Sequence, residues 1–295
     1  MCMRYLSSVK EKECKKMSSV IIGIDIGGST TKIVGFRKTK NGTELIDPQF
    51  VKANDPVTAT YGAFGKFTDE NRLAIKDIDK VMMTGVGASY VKHDMYGLDC
   101  RRVPEFNSIG KGALYLSGLD NILAVSMGTG TALVHAKRGG DMNYLGGTGV
   151  GGGTLMGLSK LLLRAESIDH IVEYAEGGNL SNIDLLIKDM TAKDTLSELS
   201  ADLTAANFGN VSDMASREDM ALGIMNMVFE TVGMVSVFAS RQVGVKDVIL
   251  TGNLTRLAYC TKKFEIFNGL GYGVNFIIPK NAEFSTVIGT ALSGL

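Results

Sequence analysis

Ile21-Ile22-Gly23-Ile24-Asp25-Ile26-Gly27-Gly28-Ser29-Thr30-Thr31-Lys32 places an apolar, β-branched run before a glycine turn and a second β-rich run, Thr31 to Phe36, after it. That pattern reads as strand, tight turn, strand. Ala124-Val125-Ser126-Met127-Gly128-Thr129-Gly130-Thr131 repeats it about a hundred residues later and leads into Thr131 to Val134. Glycine reaches positive φ at low cost and lacks a Cβ, so backbone N–H groups in such turns can approach a phosphate. Asp25 supplies a carboxylate at the end of a buried strand, where a phosphate-bound Mg²⁺ would sit. A single such hairpin is ordinary; two in one chain predict an ATP site between two related domains. A P-loop is a poor description, because the residues after Gly28 are β-formers and no helix follows the turn.

The remaining chain continues this α/β plan. A third strand is expected over Leu45 to Val51, a helix over Val57 to Phe67, and a buried strand over Lys80 to Thr84 that ends in the turn Gly85-Val86-Gly87. Glu105 to Leu119 reads as a helix joining the halves. Ile122 opens a second copy of the plan, which ends in strand Val248-Ile249-Leu250, its turn Thr251-Gly252-Asn253, and a closing helix over Ser285 to Leu292. The expected organisation is a disordered leader over 1–17, one domain over 18–117 and a second over 118–295.

Composition bounds the function. The chain has 295 residues, 45% of them hydrophobic and 21% charged, with 31 basic and 31 acidic side chains. That balance offers no nucleic-acid face, and anion binding must come from local sites. Cys2, Cys14, Cys100 and Cys260 form neither a CxxC pair nor a metal spacing, which suits a reducing cytoplasmic setting. The first 16 residues lack the apolar core of a secretory signal, and Met17 offers an alternative start. Met220 to Ala239 is the longest apolar stretch, but Asn226, Glu230 and Ser236 interrupt it, so a buried core or dimer-interface helix is expected rather than a membrane span. His93, His135 and His170 have no Ser or Cys at a telling spacing and read as surface or locally bonded residues.

The paired hairpins resemble those of the acetate and sugar kinase, heat-shock chaperone and actin superfamily. Three further segments narrow this: Arg102-Val103-Pro104-Glu105-Phe106-Asn107, Gly146 through Thr154, and Asp202-Leu203-Thr204-Ala205-Ala206-Asn207-Phe208-Gly209. They resemble the type II pantothenate kinases, the Fumble-like family, over essentially Ser18 to Leu295. The resemblance implies two duplicated ribonuclease H-like (actin-like ATPase) domains with an interdomain nucleotide cleft. It implies ATP and Mg²⁺ as cofactors, a homodimer, pantothenate as acceptor and acyl-CoA as a feedback ligand. Asp25 would hold the metal. Gly27, Gly28, Ser29, Thr30, Thr31, Lys32, Gly128, Thr129, Gly130, Gly152, Gly153, Thr154, Gly252 and Asn253 would hold the nucleotide. Tyr144, Gly147 and Ala206 would lie at the acceptor, and Glu105 matches the catalytic base.

Residue chemistry sets each of these against a plainer reading. An acid in a helix's first turn, such as Glu105, is also stabilised there by the macrodipole. Gly147, Gly149 and Gly152 match Gly-x-Gly-x-x-Gly, but Gly139 to Tyr144 is no buried strand, so a dinucleotide site is not expected. The loop instead leads into a helix over Leu155 to Arg164, whose N-terminal N–H groups could face an anion. One departure concerns the acceptor: the family's carboxylate-binding arginine is replaced by Tyr144, whose phenol cannot make a bidentate charged contact, and Lys137 and Arg138 stand nearby in sequence. Alternatives are a kinase for pantetheine or another alcohol, an ATPase activator of a 2-hydroxyacyl-CoA dehydratase, and a noncatalytic CoA or nucleotide sensor.

Overall fold

The computed structural model describes residues 19–28, 30–52, 55–190, 195–196 and 199–295. The expected leader over 1–17 and Ser29 lie outside the described residues. Contacts divide the chain into one unit ending at Tyr115 and completed by Phe284–Leu295, and a second spanning Leu116–Glu283.

The first unit holds strands β1 (Val20–Ile26), β2 (Thr31–Thr39), β3 (Gly42–Val51), β4 (Ile78–Thr84) and β5 (Asp99–Arg102), with helices α1 (Pro56–Glu70) and α2 (Glu105–Ser117). Its sheet order is β3-β2-β1-β4-β5. The first three strands pair antiparallel, and β4 and β5 join in parallel. Alternation along β1 sends Ile22, Ile24 and Ile26 to one face, where they form a core with Phe64 and Phe67 of α1. Ile21, Gly23 and Asp25 therefore point to the opposite face.

That opposite face is covered by the last helix of the chain, Ser285–Leu292, in which residues 285–291 are all buried. A Cβ on Gly23 would lie 2.7 Å from the Val287 carbonyl oxygen and 2.8 Å from the Ala291 Cβ, so glycine is what lets the helix seat on β1. The same helix crosses α2 at backbone contact: a Cβ on Gly289 would stand 1.9 Å from the Ser108 carbonyl oxygen, and one on Gly112 1.8 Å from that of Ser285. The helix expected over Ser285 to Leu292 is thus present, but it packs in the first unit instead of closing a continuous domain over 118–295. An apolar helix with small residues at its crossing points goes where an uncovered sheet face accepts it, and chain order does not specify which sheet that is.

The second unit repeats the plan with β6 (Asn121–Met127), β7 (Thr131–Lys137) and β8 (Met142–Thr148), followed by helices α3 (Gly152–Leu163) and α4 (Ile168–Glu176). Two short pairs follow, β9 (Leu185–Leu186) with β12 (Thr204–Ala206), and β10 (Thr195–Leu196) with β11 (Leu199–Ser200). A four-residue helix α5 (Ile187–Met190) lies between them, and α6 (Arg217–Val243), β13 (Asp247–Thr251), α7 (Ala258–Gly269) and β14 (Asn275–Ile277) complete the unit. In chain order α8 is the Ser285–Leu292 helix. The main sheet order, β14-β13-β6-β7-β8, is that of the first unit read from the other edge, with the same sense of every pairing. This is the duplication expected from the two signatures.

Among the described residues, α6 alone is long and apolar enough to cross a membrane. Its Ala221, Ile224, Met225, Val228, Phe229, Val232 and Val237 pack into the unit's own core, as expected for a buried helix. Ser216 and Asp219 close a capping box at its start, and Gly244 takes a left-handed conformation at its end.

Candidate nucleotide and acceptor site

Each unit builds its site at one end of its first hairpin. In the first, Ile26 pairs with Thr31 and the turn between them is closed by the Gly27 N–H donating to the Thr30 carbonyl at 3.0 Å. In the second, Met127 pairs with Thr131 and the Gly128 N–H donates to the Gly130 carbonyl at 2.9 Å. Behind each turn stands a glycine that ends the parallel neighbour strand: Gly85 after β4 at φ 88° and Gly252 after β13 at φ 93°. A Cβ would lie 2.5 Å from the Ile26 oxygen at Gly85 and 2.5 Å from the Met127 oxygen at Gly252. The two glycines are equivalent, so Gly85 belongs with the expected residues although only Gly252 and Asn253 were among them. The signal was present in the sequence as Val-Met-Met-Thr-Gly over 81–85 against Val-Ile-Leu-Thr-Gly over 248–252.

The first unit also gathers the ionisable groups. Asp25 is 9% exposed, opposite Lys32 across the hairpin. Burial pushes its carboxyl above the usual carboxylate range, and the Lys32 charge opposes this only in part. Lys32 is itself buried, with Nζ 5.5 Å from the centre of the Phe50 ring. Glu105 opens α2 on the sheet face to which Asp25 points. Protein atoms crowd one side of it, and this desolvation, with the Asp25 charge second, raises its carboxyl too. A pocket of about 240 Å³ runs from Met83, Thr84 and Gly85 past Ser89 to Arg102 and Glu105. The Thr84 hydroxyl donates to the Val103 carbonyl at 2.9 Å and holds the strand end that precedes Glu105. Arg102 is a lining residue that residue-by-residue reading did not single out.

A buried carboxylate with a raised pKa costs stability once ionised. The cost is absent below the unfolded-state pKa and grows as pH rises through the folded one. Asp25→Asn in chelator is therefore expected to raise the midpoint of thermal unfolding at pH 7 and to converge with wild type toward pH 4. A lower midpoint at pH 7 would show that the Asp25–Lys32 attraction outweighs the desolvation.

The glycine run before α3 behaves differently from expectation. The Gly152 and Gly153 N–H groups donate to the carbonyls of Gly128 at 2.9 Å and Thr129 at 2.8 Å, so they dock the helix start on the turn and are not directed at an anion. Cβ atoms on Gly151, Gly152 and Gly153 would lie 2.8–2.9 Å from atoms of residues 128–130, which explains three glycines in a row. Thr154 caps this segment through its hydroxyl, donating to the Gly149 carbonyl at 2.9 Å. Gly147 lies against β7, where a Cβ would be 2.3 Å from the Thr131 oxygen. Ala206 sits in the small β9–β12 pair, exposed.

Comparison with known proteins adds to this geometry. The model of the family described as Fumble matches residues 21–277, which span both hairpins, Glu105, the glycine run and the Thr204–Gly209 string. The chain belongs to the Fumble family. Two relatives of this Fumble chain are type II pantothenate kinases. That of Oceanobacillus iheyensis is 31% identical over 201 residues, covering 65% of this chain and 74% of the relative. That of Staphylococcus aureus strain MRSA252 is 26% identical over 284 residues, covering 92% and 99%. The activator of 2-hydroxyisocaproyl-CoA dehydratase from Clostridium difficile, solved with bound ADPNP, superposes with a TM-score of 0.65 at 18% identity, covering 93% of each chain. At that identity it shows the fold, which is that of the actin-like ATPases.

In the Fumble chain Tyr144, at the position where the resemblance implies an arginine, can be placed. Tyr144 pairs with Val134 in the middle of the β7–β8 hairpin and is 49% exposed. Arg138 lies four residues beyond Val134, about 13 Å along the strand. It is tied to Asp120 and donates to the Leu119 carbonyl at 3.0 Å. Lys137 and Arg138 therefore sit at the end of β7 away from the phosphate turn and do not replace an arginine at position 144.

Proposed function

We propose that this enzyme transfers the γ-phosphoryl group of ATP to the primary hydroxyl of pantothenate, giving 4'-phosphopantothenate for coenzyme A synthesis, with Glu105 as the general base. The observation that carries the reading is the corner of the first unit where Asp25 and Glu105 share one sheet face beside a hairpin turn and a small pocket. Full-length likeness to type II pantothenate kinases supports pantothenate as the acceptor class.

The chain's own groups suit these roles. Backbone N–H groups of the 27–30 and 128–130 turns other than those of Gly27 and Gly128, which close the turns, are assigned to phosphate oxygens, and the missing Cβ atoms at Gly85 and Gly252 leave room for the turns in front of them. Asp25 fits a Mg²⁺ that takes one carboxylate and otherwise phosphate oxygens and water, since the described residues contain no cluster of three or more metal-ligating side chains. Such an ion would supply charge neutralisation on the phosphates. Glu105 Oε accepts the hydroxyl proton as the alcohol attacks, and its raised pKa brings it closer to the proton affinity that task needs. A homodimer in the cytoplasm, inhibited by acyl-CoA, belongs to the same reading.

The test is ATP consumption by purified protein with Mg²⁺ and pantothenate, pantetheine or no acceptor, with product mass confirmed. ADP formed only with an acceptor, together with a phosphopantothenate peak, is the expected result. Turnover with pantetheine alone would move the acceptor, and acceptor-independent hydrolysis would point to an ATPase or sensor. The shared fold of the dehydratase activator does not favour its activity here: Cys260 is fully buried and its thiol is pushed up to about 12 by burial, far from a ready ligand.

A further inference from the structure

The pocket beside Glu105 contains a cation for which the phosphoryl transfer described above has no use. Arg102 ends β5, in register with Met83 of β4, and Val103 and Pro104 separate it from Glu105 at the start of α2. Three residues of chain hold the two Cα atoms within about 11 Å of each other. Both side chains line the pocket with Thr84, Gly85 and Ser89.

The guanidinium is held in place without being neutralised. Its Nη2 donates to the carbonyls of Val91 at 3.1 Å and Ser89 at 3.4 Å, both uncharged acceptors. Of the two carboxylates three residues away, Asp99 is paired with Arg101 at 2.8 Å, and Glu105, whose carboxyl feels only desolvation and the Asp25 charge, makes no ion pair with Arg102. A guanidinium has five N–H donors, so the hydrogens on Nε and Nη1 and a full positive charge are left for a ligand. The pocket volume of about 240 Å³ is below the roughly 300–1,000 Å³ of sites that enclose drug-sized ligands. It suits a small hydroxy acid better than a nucleotide.

We infer that Arg102 binds the carboxylate of the acceptor while the acceptor's hydroxyl lies on Glu105, making Arg102 the residue that selects an acid over its neutral amide. The inference rests on the kinase reading above and names the group that recognises that reaction's substrate. A charge-assisted bond from Nε or Nη1 of an arginine already held in place favours a carboxylate over a neutral amide carbonyl.

The experiment measures kcat/KM for pantothenate and for the uncharged pantetheine in wild type, Arg102→Gln and Arg102→Lys. Calorimetric Kd values for both acceptors are measured in parallel with a nonhydrolysable ATP analogue present. Wild type is expected to prefer pantothenate, and Arg102→Gln to reduce that preference about 10- to 100-fold in both kcat/KM and Kd ratios. Arg102→Lys should recover part of it, because it keeps the charge and loses the fixed direction of the donors. A wild type without preference for the acid would overturn the assignment, as would an Arg102→Gln variant that loses both acceptors equally or loses ATP affinity, since Arg102 would then act on the phosphates or on the 86–91 segment. Wild type that binds pantothenate without phosphorylating it would sink the kinase reading and leave the Kd ratio to decide the role of Arg102.

Discussion

Replacing Glu105 by glutamine is expected to lower kcat by about 10²- to 10⁴-fold, the usual contribution of a positioned general base. The amide keeps the shape and can still accept a hydrogen bond, but it cannot take the proton. Stability separates this from the plainer role of an acid at a helix start. A glutamate kept there by the macrodipole would have a lowered pKa, and its amide would destabilise the fold by about 0.3–1 kcal/mol. The Glu105 carboxyl is instead raised, by the protein atoms crowding one side of this otherwise exposed residue and then by the Asp25 charge. Glu105→Gln should therefore unfold at the same temperature as wild type or higher at pH 7. In wild type, kcat/KM should fall as pH drops through a pKa above the ordinary glutamate range, and the residual activity of Glu105→Gln should lack that limb. Unimpaired turnover of the glutamine variant with any accepted alcohol would remove Glu105 from the mechanism.

The largest expected effect on stability is that of Asp184→Ala, at about 3–5 kcal/mol, since each buried donor left unsatisfied costs about 1–3 kcal/mol. Asp184 has no exposure to solvent. Its Oδ1 accepts from the Phe208 N–H at 2.9 Å. Its Oδ2 accepts from Asn226 Nδ2 at 2.8 Å, the Thr204 hydroxyl at 3.3 Å and Asn207 Nδ2 at 3.4 Å. Asn226 in turn accepts from the Tyr259 hydroxyl at 3.0 Å, and Asn207 reaches Glu230, which pairs with Lys263 at 2.7 Å. Removing the carboxylate strands several donors at once, and Phe208, held at a φ of 56°, loses the bond to its N–H. For a unit of this size the midpoint should fall by roughly 6–20 °C. Hydrogen exchange at the Phe208 amide should accelerate in Asp184→Ala and much less in Asp184→Asn, which keeps an acceptor. A midpoint within about 2 °C of wild type would mean that water replaces the carboxylate.

This network accounts for a string that local chemistry did not explain. Thr204-Ala205-Ala206-Asn207-Phe208-Gly209 follows neither helical nor strand periodicity, because three of its residues are chosen to satisfy Asp184, twenty or more residues earlier in the chain. Its specificity was legible in the sequence and its cause was not.

The sequence by itself determined the two hairpins, the strands that end in Thr84-Gly85 and Thr251-Gly252, the helices over Pro56–Glu70, Glu105–Ser117 and Arg217–Val243, and hence the duplicated α/β plan. All of these follow from alternation, helical spacing and turn glycines, which act over a few residues. Only the tertiary structure decided that the Ser285–Leu292 helix covers the first sheet, that Gly152 and Gly153 spend their N–H groups on the 128–129 carbonyls, and that Asp25, Arg102 and Glu105 meet at one end of that sheet. Those outcomes depend on which face a strand turns toward which helix and on which backbones approach closely enough to forbid a Cβ. Such choices are made between segments far apart in the chain, where no local pattern records them.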